Sequence, residues 1–353
     1  MRTVHLTGAI AGGVAIAAAG YSAYWFLAAD AIEDRISGWT EEQRVHGWEL
    51  STTATEVSGF PTRFSITLHQ PTVTAQRDGW SWRGERLWAE VSPWNFSEVT
   101  LRVVGASRVR VKDGDAWRDI DWQVGDGQAR LALSDDRRVT DIVLDMKSVR
   151  IEGLLEGGPA TVSHLRAQSL LPDLEPASGS AGAGAPSEVI KAAISLEGVE
   201  LPEEIGEGLG NKIEALNLDA SWVGPMPAVA KRDAVMAWRD AGGTIELRAL
   251  NMRWGPLGLS TAGTLALDQE LRPMGALTAD IIGYGDVVDA LILSDVIPLG
   301  DGFMAKVAFN VMAEKPADGG PPVLKKVPLT AQNGDLFIGP VQFVKLPALD
   351  LPQ

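Results

Sequence analysis

The chain of 353 residues contains no cysteine. That absence removes disulfides, thiolate-ligated zinc or iron–sulfur centres, and thiol catalysis in one step. It also fits an oxidising compartment, where a free thiol is a liability. Basic charge is short as well: 31 Lys and Arg stand against 46 Asp and Glu, a net charge of −15. Binding to a phosphate backbone needs clustered Lys and Arg, so nucleic acid is not an expected partner. Histidine is scarce, and His5, His46, His69 and His164 lie far apart. Without an H-E-x-x-H or H-x-x-x-H pair, local spacing offers no metal site and no cofactor site.

Catalytic signatures are missing too. No Lys follows a Gly, which excludes a Walker A loop. No Ser has a Lys three residues on, which removes the Ser-x-x-Lys acyl-enzyme pattern. Gly258-Leu-Ser-Thr-Ala262 nearly matches a G-x-S-x-G elbow, but it ends in Ala and sits within a strand pattern. Gly206-Glu-Gly208-Leu-Gly210 lacks the parallel strand–helix unit of a dinucleotide loop and reads as a turn. The acidic run from Asp113 to Asp121 lacks the spacing of a twelve-residue calcium loop, so it reads as a solvated hairpin. No catalytic residue is assigned, and the chain is read as a non-enzyme.

What the sequence does have begins near its N-terminus. Thr3 to Ala29 carries no Asp, Glu, Lys or Arg, and at about 1.5 Å per residue it suffices to cross a ~30 Å hydrocarbon core. Arg2 precedes the run, which orients its start toward the cytoplasm. Tyr21, Tyr24, Trp25 and Phe26 gather at the exit end, where aromatic rings favour the membrane–water interface. The expected layout is a cytoplasmic tip at 1–4, a single-pass inner-membrane anchor at 5–29 and a helical stalk at 30–46. The bulk is then periplasmic. Ala29-Asp30-Ala31 also offers an A-x-A-like cleavage site, so secretion to the periplasm after signal cleavage is the alternative.

From Trp48 onward the dominant period is two. Phe64-Ile66-Leu68, Val99-Leu101-Val103, Ile142-Leu144-Met146 and Leu216-Leu218-Ala220-Trp222 alternate with polar residues, and Phe303-Ala305-Val307-Phe309-Val311 continues the pattern. Short alternating runs bounded by Gly, Pro, Asp and Asn signal half-buried antiparallel strands. The expectation is a mainly β protein, a large curved antiparallel sheet with one or two short helices, at 227–241 and 286–294. The stretch 172–187, PDLEPASGSAGAGAPS, reads as a flexible loop between a first half at 47–171 and a second at 188–353. Gly-Pro breaks recur in VSGFPT, WVGPMP, RWGPLG and FIGPVQ. Gly permits backbone that β-branched residues refuse, and Pro ends donation to the ladder, so each break reads as a turn, bulge or edge stop.

Tryptophan is abundant, 12 against 3 Tyr. Trp80, Trp82, Trp88 and Trp94 fall close together; they either fill a sheet core or line an apolar groove for a ligand.

Several short motifs resemble one family. They are Val57-x-Gly-Phe-Pro-x-Arg63-Phe, Pro93-Trp94-Asn95, Trp238 with Gly242-Gly243, and Trp254-Gly-Pro-Leu257. Gly263-Thr-Leu-Ala-Leu-Asp268, Arg272-Pro-Met-Gly275 and Asn333-Gly-Asp-Leu-Phe-Ile-Gly-Pro340 complete the set. Together they resemble an uncharacterised membrane-anchored envelope family of Gram-negative bacteria, a domain of unknown function. Its architecture is similar to that of AsmA-like proteins, inner-membrane-anchored periplasmic β-sheet proteins implicated in envelope lipid homeostasis. The resemblance implies a lipid-binding or lipid-shuttling role and supplies no catalytic residues. Two other roles stay open: a scaffold binding an envelope protein partner, and an envelope glycan hydrolase whose carboxylates meet only in space.

Overall fold

The computed structural model describes residues 19–32, 38, 47–75, 79–113, 116–136, 138–171, 189–205, 208–224, 232–317 and 319–351. The cytoplasmic tip, most of the expected anchor and stalk, and the loop 172–187 lie outside the described residues. Among the described residues no helix is long and apolar enough to cross a membrane. Backbone contacts divide the chain into two compact units, one of Met1–Asp119 and Gln128–Arg137, the other of Ile120–Gly127 and Arg138–Gln353.

The first unit holds helical residues 19–32 (α1) and β1 (Trp48–Ser51), β2 (Ala54–Ser58), β3 (Phe64–His69), β4 (Thr72–Ala75), β5 (Trp80–Ser92) and β6 (Asn95–Asp113). The ends of β7 (Ala116–Leu133) complete it. β2 pairs with β3 and β1 with β4, all antiparallel. β3 and β4 share β5, taking its C-terminal and N-terminal halves respectively. Each pair of short strands is therefore one long strand broken once, at Thr52-Thr53 and at Gln70-Pro71. Gln70 adopts φ 48°, and the β5–β6 register slips nearby between Gly84 and Arg86.

These breaks coincide with a change of apolar side. Before the break on β5, Trp80 and Trp82 lie on the side shared with Val73, Val109 and Val111. After it, Leu87, Ala89 and Val91 take the apolar role opposite Leu68, Ile66 and Phe64. A strand shows successive side chains to alternate faces, so the period-two pattern had to change parity where the core changes side. Phe64 is fully buried there, and Trp25 and Ala29 of α1 pack over it.

The second unit is a longer ladder. β8 (Val139–Glu152), β9 (Ala160–Leu170), β10 (Val189–Glu200), β11 (Lys212–Val223), β12 (Thr244–Trp254), β13 (Leu257–Leu267), β14 (Pro273–Ile282), β15 (Val323–Gln332), β16 (Asp335–Ile338) and β17 (Val341–Lys345) pair in sequence order, always antiparallel. β9 and β10, which flank the low-complexity stretch, are direct neighbours. The Gly-Pro breaks do serve as turns. Gly59-Phe60-Pro61 joins β2 to β3, Gly255-Pro256 joins β12 to β13, and Gly339-Pro340 joins β16 to β17. The fourth, at Gly224, ends β11, and its prolines lie outside the described residues.

Three helices belong to this unit: α2 (Arg232–Asp240), α3 (Tyr284–Leu293) and α4 (Leu299–Met312). The first two answer to the helices expected at 227–241 and 286–294. The third is a correction, because Phe303 to Val311 was expected to form a strand. Its apolar residues alternate, but the run GFMAKVAFNVM also places Gly302, Ala305 and Phe309 at helical spacing, and these are buried. Beyond α1, which falls within the expected anchor and stalk, three helices rather than one or two stand among the described residues. α4 is apolar on two sides, which is why its period misled. The inner side meets Val288 and Tyr284 of α3, while Phe303, Met304, Val307 and Val311 are 44–83% exposed.

Candidate functional site

Cross-strand register in the second unit assembles a feature that no single strand carries. Met146, Leu165, Leu196, Leu216, Met252, Leu259, Ile281 and Leu324 stand directly opposite one another from β8 to β15. A parallel row runs through Leu144, Ala167, Ile194, Leu218 and Leu250. At about 4.8 Å per strand, the span from β8 to β13 is about 24 Å wide. Alternation puts polar residues on the reverse side: Asp145, Arg166, Ser195, Asn217, Asn251, Ser260 and Asp280 form the matching row.

Burial changes along the apolar row. Leu324 is 1% and Ile281 8% exposed where α3 and α4 lie over the sheet. From Met146 to Leu259 the same row is only half-buried. The cluster around Val149, Val162 and Val199, which Met146, Leu165 and Leu196 join, draws no residue from any described helix. At the far end of the strands α2 closes one corner. Trp238 is 2% exposed, stacks on Trp222 with ring centroids 4.3 Å apart, and donates its Nε1–H to the Val223 carbonyl at 3.0 Å. Gly243 makes that seat possible, since a Cβ there would fall 2.2 Å from the Trp238 ring.

The reverse face is polar and internally paired. Asp145 accepts hydrogen bonds from His164 at 2.9 Å and Arg166 at 3.3 Å. The His164 hydrogen bond, with help from Arg166, holds the Asp145 carboxyl below the usual carboxylate range. Asp219 pairs with Arg248, which also donates to Ser221. A shallow groove of about 340 Å3 lies on this side among Asn217, Asn251, Arg253, Ser260 and Asp280. Asp280 is engaged there by the Lys326 backbone N–H at 2.7 Å. Ser260, the near-match to a nucleophile elbow, sits inside β13 as its pattern suggested.

The other carboxyls with a defined shift are also stabilised as anions. Asp119, near the start of β7, takes two hydrogen bonds from Arg110, at 2.6 and 2.9 Å, which lower its pKa. Burial alone would push the Asp268 carboxyl up. The Arg272 backbone N–H and guanidinium outweigh it and hold Asp268 low. A glycosidase acid needs the opposite, a carboxyl raised toward neutrality. Among the described residues no group of three or more His, Asp or Glu is placed to hold a metal.

The four tryptophans named from the sequence do not form one platform. Trp80 meets Trp48 edge-on at 5.4 Å, and Trp82 lies over Gly84, both on the apolar side of early β5. Trp88 points to the same side of the strand beyond the break, where Arg102 covers its ring at 5.1 Å. Trp94 sits apart in the β5–β6 turn, 69% exposed, beside Tyr21 at 6.4 Å. The aliphatic rows of the second unit were missed. Each strand showed its alternation, but which residues stand opposite is set by register, and sequence periodicity does not report register.

The family described as an uncharacterized protein conserved in bacteria (DUF2125) matches residues 25–347. No curated protein and no solved structure matches the chain.

Proposed function

The chain belongs to the uncharacterised bacterial family DUF2125, and we propose that it is a non-enzymatic, inner-membrane-anchored periplasmic protein that binds lipid acyl chains. The site is the aliphatic face of β8–β12. One observation carries the reading: a row of aliphatic residues is buried at one end by α3 and α4, yet only half-buried over the six strands before it, from β8 to β13. Aliphatic surface removed from water is worth roughly 25 cal/mol per Å2, so a face of this kind favours a greasy occupant. The uncharged run Thr3–Ala29 supports tethering at a membrane, and the AsmA-like comparison drawn from the sequence belongs to the same reading.

Extraction of the full-length protein followed by native mass spectrometry tests it. Co-purifying phospholipid is expected, and it should fall at least about tenfold when Leu196→Asn and Leu216→Asn are introduced together, a loss equivalent to about 1.4 kcal/mol. Lipid-free protein, or lipid occupancy indifferent to both changes, refutes the assignment.

A second reading, a scaffold for an envelope protein, draws on the outer side of α4. Phe303, Met304 and Val311 are each at least 65% exposed there. Under that reading Phe303→Glu abolishes association with the partner and leaves lipid content unchanged.

A further inference from the structure

Tyr21, Tyr24 and Trp25 of α1 do more than pack against the first unit: they hold the tips of two hairpins. The Tyr21 hydroxyl donates to the Pro61 carbonyl. The Tyr24 hydroxyl donates to the Pro93 carbonyl at 3.2 Å, and Trp25 Nε1 donates to the Arg63 carbonyl at 3.2 Å. Pro61 and Arg63 lie in the β2–β3 turn, and Pro93 opens the β5–β6 turn. Both turns are thus fixed beside the same stretch of α1.

The rings brought together face outward. Phe26 stacks on Phe60 at 5.6 Å, Tyr21 contacts both Phe60 and Trp94, and Phe96 follows in the same hairpin. Exposure is 55% for Phe26, 46% for Phe60, 69% for Trp94 and 48% for Phe96. A soluble surface rarely gathers so many large rings, and aromatic rings favour the boundary between headgroups and acyl chains.

Chain length places that boundary. Between the charged Arg2 and Tyr21 the sequence is uncharged. Eighteen residues of helix rise about 27 Å, close to the ~30 Å hydrocarbon core. A span entering the bilayer after Arg2 would leave it at the level of Tyr21 to Trp25, where the two hairpin tips are tied.

We propose that the outward side of α1 and the tips of the β2–β3 and β5–β6 hairpins form an aromatic collar seated in the headgroup–acyl boundary of a phospholipid bilayer. The inference rests on the reading that the segment before α1 enters the membrane. It assigns Trp94 to the bilayer rather than to a ligand groove, and it makes the Gly-Phe-Pro turn a membrane-contact element.

The lack of cysteine gives a direct test, because a single introduced thiol can carry a nitroxide label. Full-length protein is reconstituted in phosphatidylcholine vesicles with Trp94→Cys, Phe26→Cys, Trp117→Cys or Ala17→Cys. Trp117, 55% exposed in β7, follows the far end of the 19-residue β6, about 60 Å along the strand from the β5–β6 tip. The collar predicts that oxygen broadens the labels at 94 and 26 more than a water-soluble nickel chelate does, with the reverse order at 117. A label at 17 that is buried in the bilayer while those at 94 and 26 match 117 overturns the collar and leaves the anchor standing. Aqueous behaviour at 17 as well overturns both. Spin–spin broadening between copies without an oxygen preference also overturns the collar, by showing that a second copy covers these rings.

Discussion

Asp268 shows how much of this protein's order depends on single side chains tying turns. It follows β13 and accepts the backbone N–H groups of Glu270 and Arg272 at 3.0 and 2.8 Å, while its second oxygen takes the Arg272 Nε–H at 2.7 Å. Arg239 of α2 reaches the same turn through the carbonyls of Asp268 and Gln269. The motif residues Asp268 and Arg272, singled out from the sequence, are therefore the clamp of the β13–β14 connection. Because the folded carboxyl lies below its ordinary value near pH 4, its contribution is fully present above that pH and fades as pH falls through the lowered value. Asp268→Asn should unfold at lower urea than wild type at pH 7, with the difference closing toward pH 3. A difference that persists unchanged to low pH would show that the anion contributes nothing. The glycine before β12 has an equally local reason. Gly243 gives Trp238 its seat, a role that Trp238…Gly242-Gly243 suggested only as a motif.

At the scale of elements, α4 separates two physical rules that share one sequence. Residues 303, 305, 307, 309 and 311 satisfy both a strand, where all five share a face, and a helix with apolar residues on two sides. The helix won because Ala305 and Phe309 fit against Val288 and Tyr284, and its outer residues were left in solvent. The two geometries differ in what they predict for neighbouring odd positions. Phe309→Ala should cost about 3–5 kcal/mol, as large core truncations do, whereas Val311→Lys should stay within about 0.5 kcal/mol. Chemical denaturation of the two variants measures this; comparable losses would restore the strand. Other alternating runs were legible: β3, β8 and β11 stand where Phe64, Ile142 and Leu216 placed them. Parity was not legible. Trp80 and Leu87 lie on opposite sides of β5 yet each faces an apolar side, since the break at Gly84 and Gln70 changes which side is dry.

For the molecule as a whole, the important property of the second unit is that its ladder runs in sequence order. Leu165 and Leu196 are 31 positions apart along the chain and adjacent in space, on strands that flank the stretch 172–187. Antiparallel neighbours can be joined by a two-residue turn. Replacing residues 172–187 with Asn-Gly should therefore leave the thermal midpoint within about 4 °C of wild type. A collapse of cooperative unfolding would mean that the stretch belongs to the core. A sheet in which each strand from β8 to β12 contributes one residue to each apolar row also fits the proposed lipid face, which needs no catalytic motif. The proposed face is a surface rather than a constellation, so it leaves no local signature.

The amino-acid sequence alone determined the strand content, the turns at Gly-Pro, the positions of α2 and α3 and the absence of thiol chemistry. Each of these follows from backbone preference and from a period within a dozen residues. Only the tertiary structure decided which aliphatic residues align across eight strands, that Trp94 parts company with Trp80, and that α4 is a helix. Those outcomes depend on register and on which face a distant element covers. Both are set by the free energy of burying one surface against another, and that quantity does not exist until the chain has folded back on itself.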